Sequence, residues 1–263
     1  MRLALIGPIS CLDDFCSQCD MHLVLAHKVL EDEKYCEFYR KMRARGDHII
    51  MDNAAFELGS AIPMDKLLKA AEMVNAQEVV LPDVYLNGKA TLRRVKEAIR
   101  DLYKRDLIGK YILQAVPHGD SIRGYKKCFN IISSMKEIKV IGLSFGGIYN
   151  ACKEEWGYRS DVHCTQYRAE LLEKEIELRK DKEYHALGIL DNPIEIKSLA
   201  YLGFIRSNDT SSPIWHGIHG IAFDEERGHS PKLKTKVDFN ASLNGKGNII
   251  QNNIDICKGW SKV

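Results

Sequence analysis

The chain has 263 residues, of which 45% are hydrophobic and 28% charged; this is enough apolar material for a large core and too much for a disordered chain. A net charge of +2 excludes an overall basic or acidic character as the basis for holding a polyanion, so local charge has to supply any such contact.

Short β-type runs alternate with helical segments along the chain. The first, RLALIG (2–7), sets Arg2 before an apolar run like a secretion signal, but Pro8 and the pair Asp13-Asp14 argue against one, and no later run reaches the roughly 20 apolar residues of a membrane span. A cytoplasmic protein with reduced thiols is therefore expected. Cys11, Cys16 and Cys19, with Cys36 beyond them, match an iron–sulfur spacing. Asp13, Asp14 and Asp20 crowd that spacing with negative charge and no cluster-shaped loop follows, so free thiols and no metal are expected.

The strands continue as HLVLAH (22–27), HIIMDN (48–53), EVVLPD (78–83), YILQAVP (111–117), KVIGLSF (139–145), YHALGIL (184–190) and GFIRSND (203–209). Amphipathic helices are expected over 31–45, 63–75, 89–105, 121–137, 162–181 and 193–202. Eight near-continuous apolar strands with crossover helices predict an α/β fold, a single (β/α)8 TIM barrel over 1–213. Residues 214–263 read as an irregular C-terminal extension packed on the barrel, with six lysines from Gly228 onward against Asp238 and Asp255.

In such a barrel the chemistry belongs at the C-terminal ends of the strands. Those ends carry Asp52, Asp83 and Asp209, together with His118 and several glycines. One strand-end Asp is commonly a helix cap, and SNDTSSP could be a polar turn of that kind. Three carboxylates at one mouth repel each other unless a ligand or a proton compensates. Such a set suits a nucleophile toward a sugar carbon, a proton carrier, and an acceptor for the paired donors of a guanine edge.

The ordered set MDNAAFELG, LPDVY, QAVPHG, IGLSFGG and HALGILDNPIEIKSLAYLGFIRSNDTSSP, covering roughly 48–213, resembles the tRNA-guanine transglycosylase superfamily. The AHKV, MDNAAFELG and SNDTSSP wording is most similar to its phage-type DNA-guanine transglycosylases, which exchange guanine in DNA for a 7-deazaguanine. The resemblance implies a pentosyltransferase that needs no cofactor, with DNA and a free 7-deazaguanine base of the preQ0 type as partners, acting in a host cytoplasm if phage-encoded. Asp209 would be the nucleophile that holds the nucleotide as a glycosyl ester, and Asp52 the general acid/base. Asp83 would read the N1 and amine edge, Phe56 and Leu187 would stack on the two faces, and the amides of Gly142 and Leu143 with His118 would address the exocyclic oxygen. Ser207, Asn208, Thr210 and Ser211 are expected to donate to Asp209, and Pro213 to stop the strand.

A single-stranded or flipped target is implied, held by Arg206 and by Lys232, Lys234 and Lys236. The departures from the family bear on the substrate. The tRNA enzymes usually carry a C-terminal zinc subdomain with a Cys-x-Cys-x2-Cys motif, whereas beyond Cys164 this chain has only Cys257. His216 and His219 are spaced like a metal pair without a third ligand and are expected on a nucleic-acid-facing loop. DNAAF also replaces the Gly-Gly of the tRNA enzymes, which implies a differently shaped pocket. A zinc-less tRNA enzyme, a non-catalytic nucleic-acid-binding barrel and a small-molecule barrel enzyme are the alternatives.

Overall fold

The computed structural model describes residues 1–157, 166–189, 192–228, 233 and 237–263. Eight parallel strands form one sheet: β1 (Arg2–Leu5), β2 (Met21–Leu25), β3 (His48–Asp52), β4 (Glu78–Val80), β5 (Ile112–Ala115), β6 (Ile138–Ser144), β7 (Glu183–Leu187) and β8 (Ile205–Thr210). Their order is β1-β8-β7-β6-β5-β4-β3-β2, with β1 and β2 lying side by side at the seam of a nearly closed barrel. This is the (β/α)8 architecture.

The strands are buried on both faces and all but β8 are largely apolar; β8 has a single apolar residue, Ile205. Ala4, Ile6, Leu23, Ile50 and Val80 fill the barrel interior, while their neighbours Leu3, Leu5, Val24, Met51 and Val79 pack outward against the helices. The interior is polar at its lower end. Glu78 is wholly buried there, with Arg206 Nη2 3.0 Å from both of its oxygens and His48 Nε2 2.9 Å from Oε2.

The helices are α1 (Ala26–Glu31), α2 (Glu33–Arg45), α3 (Ala55–Leu58), α4 (Met64–Met73), α5 (Gly88–Lys104), α6 (Ile122–Ser134), α7 (Phe145–Trp156), α8 (Tyr167–Lys174), α9 (Glu195–Tyr201), α10 (Ser212–Ile218) and α11 (Gly247–Trp260). The helix expected over 31–45 is α2, which Asp32 caps by accepting from the Tyr35 N–H, whereas α1 was not expected and takes Ala26 and His27 from the end of the strand expected over 22–27. Of the helix expected over 162–181, residues 162–165 lie outside the described residues, and α8 runs from Tyr167 to Lys174. α7 was not expected; Ser144 starts it by accepting the Gly147 N–H, despite the Gly-Gly pair in its first turn.

In the described part of the C-terminal extension two helices, α10 and α11, stand among turns and loops. α10 and α11 pack closely: a Cβ added to Gly217 would lie 2.5 Å from Ile250 Cγ1. Asn253 ties the extension together, accepting from Phe223 N–H and donating to Pro213 and Ile221 carbonyls. His216 and His219 belong to α10 and its cap, with Nδ1 bonded to the Ser212 and Trp215 carbonyls, and His216 is buried; neither sits on an open loop. Cys11, Cys16 and Cys19 lie in the apolar core, where burial raises all three thiol pKa values, that of Cys19 to about 11. Among the described residues no group of three potential ligands could hold a metal ion, and no helix is long and apolar enough to cross a membrane.

Candidate active site

Asp209, the last residue but one of β8, is buried at 5% exposure. Its Oδ1 accepts the Gly188 N–H at 3.1 Å and lies 3.1 Å from His185 Nε2. No hydrogen bond reaches Oδ2 from the described residues. Gly188 reaches this oxygen because its φ is +65°, and a Cβ there would lie 2.6 Å from the Phe145 ring, so glycine is required on both grounds.

The donors around Asp209 are not those expected from SNDTSSP. Ser207 Oγ lies 2.8 Å from His185 Nδ1, and Asn208 Nδ2 donates to the Ala186 and Gly188 carbonyls. Thr210 Oγ1 accepts the Ser212 N–H and so begins α10, with Pro213 in its first turn rather than as a bare stop. These side chains shape the strand end. His185 and a backbone amide hold the carboxylate.

Asp52 closes β3, half-buried, with Oδ2 accepting the Ala54 N–H at 2.8 Å. Burial first, then the charge of Glu57 and more weakly those of Asp83 and Asp209, push its pKa well above the usual carboxylate range; the Ala54 N–H opposes them. Ala54 pays for this turn with a left-handed backbone, φ +59°, at a place where glycine would be unstrained. The departure from Gly-Gly noted in DNAAF therefore falls on a strained residue beside Asp52.

Asp83 follows β4 and is 8% exposed. Its Oδ1 accepts from Asn53 Nδ2 at 2.7 Å, and its Oδ2 lies 2.7 Å from His118 Nε2. Asn53 is in turn fixed by donating to the Leu81 carbonyl and accepting the Ala55 N–H. His118 thus spends Nε2 on Asp83 rather than presenting it to a ligand.

Phe56 on α3 is 63% exposed, with its ring 5.6 Å from that of Phe145, while Leu187 stands half-buried at the end of β7. Gly142 lies inside the barrel: a Cβ there would meet Gln114 Nε2 at 2.7 Å and Val116 and Leu187 methyls at 2.9 Å. Leu143 points into the outer core.

Arg168 on α8 had no expected role. It is 2% exposed and donates to Glu195 Oε1 and to the carbonyls of Leu143, Leu187 and Gly188, joining the ends of β6 and β7 beneath the site. Arg206, expected at the mouth, is instead committed to Glu78 and Glu183 at the opposite end. Its place along the strand accounts for this, because Arg206 is the second residue of β8, three before Asp209 and so about 10 Å nearer the strand's start, where the β7–β8 register shifts between Tyr184↔Ile205 and His185↔Ser207. Lys232, Lys234 and Lys236 lie outside the described residues.

Fold and site together define an α/β barrel with three carboxylates, Asp52, Asp83 and Asp209, at the C-terminal mouth. No protein-family model matches the chain, and no curated protein matches it significantly.

Proposed function

We propose that the protein is a guanine transglycosylase acting on DNA, exchanging guanine for a 7-deazaguanine base through a glycosyl ester on Asp209. The observation that carries this reading is the asymmetry of that carboxylate: Oδ1 takes both N–H partners and Oδ2 takes none from the described residues. A side chain fixed through one oxygen at the mouth of a barrel is set to attack with the other.

In the first step Oδ2 bonds to C1′ of the target nucleotide as the bond from C1′ to N9 breaks, and the electron pair leaves with the base. Asp52, whose neutral form is favoured by burial and by Glu57, gives the departing base its proton. The incoming base then returns a proton from N9 to Asp52 and attacks C1′, and the Asp209 carboxylate departs. Each proton and electron pair is restored at the end of the cycle. Asp83, held by Asn53 and His118, keeps lone pairs for the guanine N1–H and amine, and the exposed face of Phe56 offers a stacking surface. A paired guanine cannot present C1′ to Asp209, so the target is single-stranded or flipped.

The test is incubation with isotopically labelled guanine and, in parallel, single-stranded DNA, duplex DNA and tRNA, followed by nucleoside mass analysis. Label in DNA alone supports the reading. Label in tRNA alone gives the activity to a zinc-less tRNA enzyme, and label in neither removes base exchange.

A further inference from the structure

We propose that His185 is the positioning residue of the nucleophile, and that Ser207 sets its tautomer. This rests on the transglycosylase reading of Asp209 and adds a residue to which the sequence assigns no role.

His185 is wholly buried on β7, and both ring nitrogens are spent on β8: Nε2 lies 3.1 Å from Asp209 Oδ1, and Nδ1 lies 2.8 Å from Ser207 Oγ. A carboxylate only accepts, so Nε2 carries the proton in that bond. In the neutral ring Nδ1 must then accept, and the hydroxyl of Ser207 is the donor it faces. The chain Ser207 to His185 to Asp209 therefore runs in one direction and ends on the oxygen that does not attack. The Gly188 N–H meets the same oxygen, so two donors from β7 and the turn after it orient the carboxylate.

The two donors have a consequence for the second half of the reaction. In the glycosyl ester Oδ2 is bonded to C1′ and Oδ1 is the ester carbonyl oxygen. As N9 of the incoming base bonds to C1′, the pair from the C1′–Oδ2 bond returns to the carboxylate, and the N9 proton passes to Asp52. Negative charge then grows on an oxygen already facing the His185 and Gly188 N–H groups, the geometry that stabilises a departing anion. Losing His185 should slow release of the ester more than binding of either substrate.

The experiment compares wild type with His185→Leu, His185→Gln and Ser207→Ala, measuring steady-state exchange on single-stranded DNA and the fraction of protein held as a denaturation-resistant adduct. His185→Leu is expected to lower kcat roughly ten- to a hundredfold, leave KM for DNA and for free base within about twofold, and raise the adduct fraction. His185→Gln keeps an N–H at the same reach and should recover part of the loss; Ser207→Ala should lose less than His185→Leu. Wild-type kcat in His185→Leu, a loss confined to KM, or a Gln variant no better than Leu would overturn the role. If His185→Leu does not fold, the folded Gln and Ser207→Ala variants decide, and wild-type kcat with wild-type adduct fraction in Ser207→Ala overturns the tautomer assignment. Failure of wild type itself to form an adduct would overturn the transglycosylase reading before any variant is compared.

Discussion

His118 Nε2 lies 2.7 Å from Asp83 Oδ2, and both side chains are buried. With Asn53 Nδ2 on the other oxygen, Asp83 is gripped from two sides before any ligand arrives. An asparagine at 83 would turn an amide N–H toward one of these two donors and remove one acceptor from the base. Asp83→Asn should therefore weaken binding of free guanine by about 2–4 kcal/mol, measured by calorimetry. Affinity equal to wild type would take Asp83 out of the base site.

Asp52 links activity to stability. Its pKa is raised by burial and by Glu57, Asp83 and Asp209, so between the unfolded and the folded value the folded state holds a proton that the unfolded chain has lost. Stability then falls as pH rises from the unfolded carboxyl value of about 4 toward the raised folded value. Asp52→Asn removes that penalty: the variant should melt above wild type at pH 7, with the difference disappearing near pH 4 and below. Base exchange should fall by roughly 100- to 10,000-fold, the usual worth of a general acid/base. A variant that melts below wild type at pH 7 would contradict the repulsion.

Arg206 tests the two ends of the barrel against each other. Burial raises the Glu78 pKa, but His48 and Arg206 outweigh it and hold the carboxyl below its usual range. The pair thus contributes stability above the unfolded value of about 4, and that contribution is lost as pH falls through the folded one. Arg206→Gln should cost about 3–5 kcal/mol in denaturant unfolding at pH 7 and less in acid. The salt dependence of DNA binding should not change, since Arg206 is not at the mouth; a flatter slope would return it to the DNA path.

The barrel was legible in the sequence and much of the site's wiring was not. Eight short strand-like runs, seven of them largely apolar, separated by amphipathic segments allow little else, and β3, β4 and β8 carry their aspartates to one mouth as the strand ends implied. α7 escaped because Phe145-Gly-Gly reads as a break, whereas Ser144 caps it. α11 escaped because its asparagines and glycines are weak helix formers, although Ile250, Ile254 and Cys257 keep the helical spacing. The register shift at Arg206 has no composition of its own. His185 reads as an ordinary strand residue, and only the β7–β8 register shows that Asp209 leans on it.

Arg168 is the clearest case of wiring without a motif. It crosses from α8 to three carbonyls at the ends of β6 and β7 and to Glu195, with both charged side chains 2% exposed. Arg168→Met fills similar volume but leaves Glu195 without this ion pair and takes one donor from each of three carbonyls, of which that of Gly188 keeps Asn208 Nδ2. A loss of about 3–5 kcal/mol in urea unfolding is expected. A loss within 1 kcal/mol, roughly the worth of an exposed pair, would mean that the ends of β6 and β7 hold without it.

The bond between Asp209 Oδ2 and C1′ can be observed directly. Wild-type protein incubated with single-stranded DNA, denatured and digested with protease and nuclease, should yield one nucleotide-bearing peptide, with the mass of an abasic deoxyribosyl ester located by fragmentation at Asp209. Asp209→Ala should give no such peptide while keeping the fold. An adduct on any other residue, or base exchange at wild-type rate in Asp209→Ala, would contradict the account.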